Sequence, residues 1–182
     1  ISRQIGNNAL IVGPAGIGKT SLIYGWADYL MKKKYKNVIV QLSGDDLLAI
    51  GDKKNIYDQY SEAIKEIPPG IIIIDDWHEL TSQPTVLSRA VNLLAPLLEN
   101  SKTKVVLSCD ENGHQTLQED YPAWLEEFET IKLKTSSTEE TVKILSKVSK
   151  KITKKQKTKV PSEMLKFIVE RIERFPVLGQ LP

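Results

Sequence analysis

The chain is poor in the residues that would make several explanations easy. It holds one cysteine, Cys109, in 182 residues, so no internal disulfide can form and a reducing, cytoplasmic setting is expected. No apolar run comes near the roughly 20 residues needed to cross a bilayer. Charge of one sign is lacking as well: 25 basic against 23 acidic side chains leave a net +2, too little to imply a polyanionic partner by itself. The two histidines, His78 and His114, have no further metal ligand at useful spacing, which argues against a zinc site. Cys109 has no partner that would make it a catalytic nucleophile, and no internal repeat is visible. What remains, 41% hydrophobic and 26% charged residues, describes a folded globular chain of one domain, or of one domain with a small appendage. Both ends, Ile1-Ser2-Arg3-Gln4 and Leu181-Pro182, read as cuts from a longer protein.

Against these absences stands one glycine-rich stretch. The apolar run Asn8-Ala9-Leu10-Ile11-Val12 ends at Gly13, and Pro14-Ala15-Gly16-Ile17-Gly18-Lys19-Thr20-Ser21 follows. The pattern G-x-x-x-x-G-K-[ST] between a strand and a helix has a mechanical reading. Its glycines allow backbone conformations that a Cβ forbids, so successive N–H groups can close around a phosphate. Lys19 would reach the β- and γ-phosphates and the Thr20 hydroxyl would ligate Mg²⁺. The helix that opens here adds its N-terminal dipole. A second anchor is Ile71-Ile72-Ile73-Ile74-Asp75-Asp76. Four β-branched residues in a row suit a strand buried on both faces of a parallel sheet. Acids at its C-terminal end sit where open α/β sheets place ligands. Downstream of such a loop, Asp75 would hold Mg²⁺, and Asp76 would orient or deprotonate an attacking water.

The rest of the chain alternates strands and helices, which predicts a parallel sheet in an αβα sandwich. Strands are expected at 8–12, 38–42, 71–74, 104–108 and 128–133, and helices at 21–34, 55–67 and 84–99. Ser43-Gly44-Asp45-Asp46 reads as a turn, and Pro96 as a kink or early stop. Leu22, Ile23, Trp26, Leu30 and Met31 form the expected inner stripe of the first helix. Trp26, Trp77 and Trp124 read as packing residues. From Thr135 onward there is no strand candidate. Ser137-Thr138-Glu139-Glu140 reads as a helix start, with Val142, Ile144, Leu145 and Val148 behind it. Eight lysines and no acid lie between Lys143 and Lys159. They suit a solvated connector over 150–159, with contact to nucleic acid or acidic partners as the alternative. A last helix over 161–174 carries Met164, Leu165, Ile168, Val169 and Ile172 as its inner face. The expected division is a large nucleotide-binding subdomain, 1–134, and a small helical lid, 135–182.

With these pieces in place the chain resembles an AAA+ ATPase module, and most the first ATPase domain of the Clp-type hexameric unfoldases and disaggregases. Asn7 to Thr20 is similar to that family's opening strand and Walker A loop. Ile73-Ile74-Asp75-Asp76-Trp77-His78-Glu79-Leu80 is similar to its Walker B segment. Leu93 to Leu98 resembles the helix that follows, and Val105 to Cys109 the strand ending in the polar sensor. His114 to Phe128 resembles the approach to the arginine fingers, and Glu139 to Leu145 and Arg174 to Pro182 resemble the lid. The resemblance implies ATP and Mg²⁺ as cofactors and Lys19 and Asp76 as catalytic residues. It implies nucleotide contacts from Gly13, Pro14, Ala15, Gly16, Ile17, Gly18, Lys19, Thr20, Ser21, Asp75, Ser108 and Cys109, with Thr20 and Asp75 on the metal. It also implies a ring in the full-length protein, although the fragment itself is expected to be monomeric, and protein substrates or partner AAA+ subunits. Nucleic acid is a weaker expectation and a membrane is not expected.

The chain departs from the family at several points. Asp76 stands where the family has glutamate; one methylene less displaces the water by about 1 Å, which can cost about 10²-fold in rate. Leu125-Glu126-Glu127-Phe128 puts glutamates where arginine fingers are worth roughly 10³–10⁵ in rate. The pore-loop stretch, Gly51 to Ile56, has no aromatic residue, and Gly179 replaces a frequent arginine. The sensor position is open among Ser108, Cys109 and Asp110. Three functional readings follow: an ATPase coupled to protein remodelling in a Clp-like assembly, a catalytically weak nucleotide-binding scaffold or regulatory subunit, and a DNA-acting ATPase of the initiator or loader type.

Overall fold

A computed structural model describes residues 8–49, 54–99, 102–156 and 160–174. The chain divides into two compact units, Ile1–Gly13 with Lys19–Lys132, and Pro14–Gly18 with Leu133–Pro182.

The larger unit is a five-stranded parallel sheet. Its strands are β1 (Asn8–Val12), β2 (Val38–Ser43), β3 (Gly70–Asp75), β4 (Lys104–Cys109) and β5 (Phe128–Lys132). Their spatial order is β2-β3-β4-β1-β5. Helices α1 (Lys19–Lys32), α2 (Gly44–Leu48), α3 (Lys54–Lys65), α4 (Pro84–Glu99), α5 (Glu111–Asp120) and α6 (Pro122–Leu125) connect them, with a 3-10 turn over Trp77–Ser82 after β3. The isoleucine run of β3 is buried along its whole length, as a central parallel strand covered on both faces must be.

The register divides the side chains between two faces. Leu10 pairs with Leu107 and Val12 with Cys109, and Ile72 and Ile74 lie beside Val105 and Leu107. This face meets Val86, Leu87, Ala90, Val91, Leu94, Leu97 and Leu98 of α4 in the main core, with Trp77, Leu80, Leu117 and Trp124. The opposite face carries Ala9 and Val106, which are partners in register, and lines a cavity of ≈ 200 Å³ with Ile11, Leu22, Ile23, Trp26 and Ile131. Asn8 of β1 ties its strand to β4 and to the residue just before β5: its Nδ2 donates to the Glu127 carbonyl at 3.2 Å, and its Oδ1 accepts from the Val105 N–H at 2.9 Å.

The five strands fall where the sequence puts them, and four details differ. The 43–46 segment starts a helix, because Ser43 and Asp46 close a capping box that satisfies both backbone donors. Pro96 lies inside an α4 that runs unbroken to Glu99. On α1 only Ile23 of the expected stripe is buried, while Leu22 is 47% and Met31 69% exposed. The 111–125 segment, given no secondary structure from sequence, forms α5 and α6. The expected pore-loop stretch lies largely outside the described residues, and Gly179 wholly so.

In the smaller unit α7 (Thr138–Gln156) and α8 (Ser162–Arg174) pack together. Ser137 caps α7, accepting from the Glu140 N–H at 3.3 Å while its own N–H donates to Glu140 at 2.9 Å. The helix continues to Gln156 through most of the stretch expected as a connector. Of the expected inner residues, Leu165 and Val169 are buried; Ile144, Val148, Met164 and Ile168 are exposed. Among the described residues no helix is long and apolar enough to cross a membrane.

Candidate functional site

The strand order brings the C-terminal ends of β3, β4 and β1 side by side. That edge is where β1 hands over to the glycine-rich loop. Gly13 extends the strand by one bond, its N–H donating to the Cys109 carbonyl at 3.2 Å. Gly16 and Gly18 then adopt φ of 80° and 96°, which side chains with a Cβ rarely tolerate. Gly13 has no positive φ, so two of the three glycines meet the conformational need expected of them. The Ile17 N–H donates to the Pro14 carbonyl at 3.4 Å, closing a turn within the loop. Lys19 opens α1 and is only 5% exposed, with its ammonium on the Gly13 carbonyl at 2.8 Å. A lysine so buried needs that partner. Thr20 is half-buried and Ser21 exposed.

Asp75 is 5% exposed. Its Oδ1 accepts from the Ser108 hydroxyl and from the Asp76 N–H at 3.2 Å, and the Asp76 N–H also reaches Ser108 Oγ at 3.0 Å. The register explains the pairing: Ile73 lies beside Val106, so two residues further along the same face Asp75 lies beside Ser108. Cys109 faces the other way, into the main core, and Asp110 caps α5 by accepting from the Gly113 N–H at 2.7 Å. Of the three sensor candidates, Ser108 is the one hydrogen-bonded to Asp75. Cys109 contributes its carbonyl to Gly13, and its thiol packs in the core.

The turn after β3 is held from two sides. Asp76 is left-handed, with φ 55° and ψ 42°, a conformation in which aspartate is enriched. A Cβ at Gly44 would stand 2.4 Å from the Asp76 carbonyl, and one at Gly113 2.8 Å from His78 Cβ. The starts of α2 and α5 are therefore pressed against this turn, a close approach the sequence reading missed. Two glycines opening helices were the available signal. Burial, with the carboxylates of Asp45 and Asp76 nearby, pushes the Glu79 carboxyl above its usual range.

Burial and the Asp110 carboxylate push the Cys109 thiol from 9.0 up to about 12, against an opposite pull from Lys19. A raised acid loses stability as pH climbs: the unfolded chain ionises above 9 while the folded chain holds its proton. Each pH unit between those values costs about 1.4 kcal/mol. Urea melts at rising pH should show this decline, and Cys109→Ala should remove it.

Among the described residues no three His, Cys, Asp or Glu side chains gather around a metal position. Mg²⁺ makes no such demand: one or two protein oxygens with phosphate and water complete its shell. The hard oxygens of Thr20 and Asp75 fit it.

A parallel sheet with a glycine loop and a buried lysine at one strand end, and paired acids at another, defines the P-loop nucleotide-binding class. Residues 9–133 match the model of the ATPase family associated with various cellular activities (AAA), and the chain belongs to that family. It is 22% identical to the chaperone protein ClpB of Aquifex aeolicus, over 99% of this chain and 19% of that protein, and so spans about a fifth of that relative. Its fold matches Hsp104, in a closed-state reconstruction with ATPγS and FITC casein, with a TM-score of 0.82 at 24% identity over 100% of this chain and 33% of the other. Domain III of the Thermotoga maritima replication initiation protein DnaA gives 0.66 at 21% identity, over 91% and 69%.

Proposed function

We propose that the chain binds ATP with Mg²⁺ and couples a slow hydrolysis to rearrangements of a Clp-like protein-remodelling assembly. The observation that carries this is the pairing at adjacent strand ends of Lys19 on the Gly13 carbonyl with Asp75 on Ser108. Lys19 would bind the β- and γ-phosphates, the loop amides from Gly13 to Ser21 would cradle them, and Thr20 and Asp75 would hold the metal. Bound Mg²⁺ supplies charge neutralisation on the phosphates. Asp76 would align the attacking water, and Ser108 fixes the orientation of Asp75. Glu126 and Glu127, both exposed, supply no positive charge to a neighbouring site, so hydrolysis would run without the roughly 10³–10⁵ that an arginine finger contributes. That observation favours a second reading, a nucleotide-holding scaffold or regulatory subunit.

Equilibrium binding of ATP with Mg²⁺, followed by phosphate release at increasing chain concentration, separates the readings. Binding with slow turnover per chain that does not depend on concentration is expected, and turnover that rises with concentration would mean that a neighbouring copy completes the site despite Glu126 and Glu127. Binding without turnover at any concentration selects the scaffold, and no binding overturns both. Salt-sensitive DNA affinity would instead favour the initiator-like reading, whose fold match is the weaker of the two.

A further inference from the structure

The two edges of the sheet are built differently. β2 and β5 are its outermost strands, and every second residue of an edge strand turns its N–H and C=O away from the neighbouring strand. β5 carries Glu129 and Lys132, both exposed, and a charged edge discourages further pairing. β2, Val38-Ile39-Val40-Gln41-Leu42-Ser43, has no charged side chain, proline or glycine. Its Val40 and Leu42 lie beside Ile72 and Ile74 and are half-buried against the main core, while Val38 is 43% exposed. The Ser43 N–H is taken by the Asp46 carboxylate at 2.7 Å. For the backbone of Val38 to Leu42, the described residues supply hydrogen bonds from β3 alone. The sheet therefore ends here in a ladder of unpaired amides and carbonyls, flanked by half-buried apolar side chains.

We propose that β2 accepts an extended segment of unfolded polypeptide as a further strand of the sheet. The chemistry of the edge sets the occupant. Donors and acceptors alternating at the strand repeat match the backbone of another extended chain. A helix has its backbone groups paired internally, and a nucleic-acid strand presents phosphate to a strand that carries no positive charge. Selectivity then falls on the side chains. Alternate residues of the segment would extend two rows, one ending in Val40 and Leu42 and the other in Ile39, so apolar β-branched residues fit. Folded proteins bury such segments and unfolded ones expose them. The inference goes beyond the nucleotide reading and is tested without ATP, so the failure of either leaves the other standing.

Fluorescence anisotropy of a labelled peptide with the 182-residue chain is the first measurement. The peptide alternates valine and threonine over the length of β2 and ends in one lysine and one glutamate, which leaves it without net charge. Its control carries an N-methyl group on every valine and threonine, which removes the donors and keeps the side chains. Each net hydrogen bond is worth roughly two- to tenfold in affinity, so the control should bind on the order of tenfold or more weaker. Amide hydrogen exchange then locates the contact: protection should appear in Val38 to Leu42 and not in β5. Val38→Lys with Gln41→Lys, at two exposed positions, gives this edge the kind of charge the other one has. The pair should weaken the peptide several-fold with the circular dichroism of the parent retained, and the methylated control decides if the variant does not fold. A peptide that does not bind up to its solubility limit overturns the proposal. So does a methylated control that binds equally, or protection that appears elsewhere. Self-association of the parent that protects the same amides, and that the peptide does not displace, assigns the edge to a second copy and also overturns it.

Discussion

Lys19→Ala should lower ATP affinity by roughly a hundredfold while leaving the fold in place. A hydrogen bond to a charged group contributes about 1.5–3 kcal/mol, and each 1.4 kcal/mol is about tenfold in affinity. Lys19 faces two demands, since its ammonium also satisfies the Gly13 carbonyl at 2.8 Å. Truncation therefore leaves one acceptor at the end of β1 without that donor. Thermal melting separates the two effects. Without nucleotide, the variant should melt within a few degrees of the parent. With ATP and Mg²⁺ at about 100 times the parent's Kd, the parent gains about 2.7 kcal/mol. For a chain of this size that shifts Tm by about 5–10 °C, and the variant should gain almost nothing. An equal shift in both would contradict the assignment of Lys19 to the phosphates.

Trp77→Ala should be the most destabilising single change outside the loop. Trp77 is fully buried and stacks on Trp124 at 5.4 Å between ring centroids, and Trp124 in turn lies 4.7 Å from Phe128. Removing a buried aromatic costs about 3–5 kcal/mol out of the about 5–15 kcal/mol that holds a domain together. Tm should fall by about 6–20 °C. The indole Nε1 is buried without a hydrogen-bond partner, so Trp77→Phe removes an unsatisfied donor while keeping an aromatic ring in the stack. It should cost less than about 1.5 kcal/mol. Urea melts of the two variants check the contrast, and equal losses would mean that the indole's polar edge matters in a way the packing does not show.

The sheet was legible because its evidence is local. Four isoleucines before Asp75 fit a doubly buried strand, and the spacing of Gly13, Gly18, Lys19 and Thr20 fits one kind of loop. Sequence could not decide among Ser108, Cys109 and Asp110, because only the register of β3 against β4 decides which side chain shares a face with Asp75. The exposure of Leu22 and Met31 was hidden for a similar reason. A helical stripe records which residues could be covered, and the cover itself lies elsewhere in the molecule. α5 escaped because its sequence, Glu111 to Asp120, is mostly polar. It is tied down by the Asp110 cap and by Gly113 against His78, and neither has a periodic signature.

The strand order also sets a sequence of events during synthesis. Of the five strands β1 comes first in sequence, yet its neighbours in the sheet are β4 and β5, and the Asn8 side chain bonds to Val105 and Glu127. β2 and β3 can pair as soon as they emerge, whereas Asn8 of β1 must wait for Val105 of β4, 97 residues further on. Such distant pairings slow folding because a long loop must close before any contact rewards it. The buried seat of Lys19 against the Gly13 carbonyl depends on that late insertion. A nucleotide bound as proposed would therefore meet its lysine only after β1 has joined the sheet.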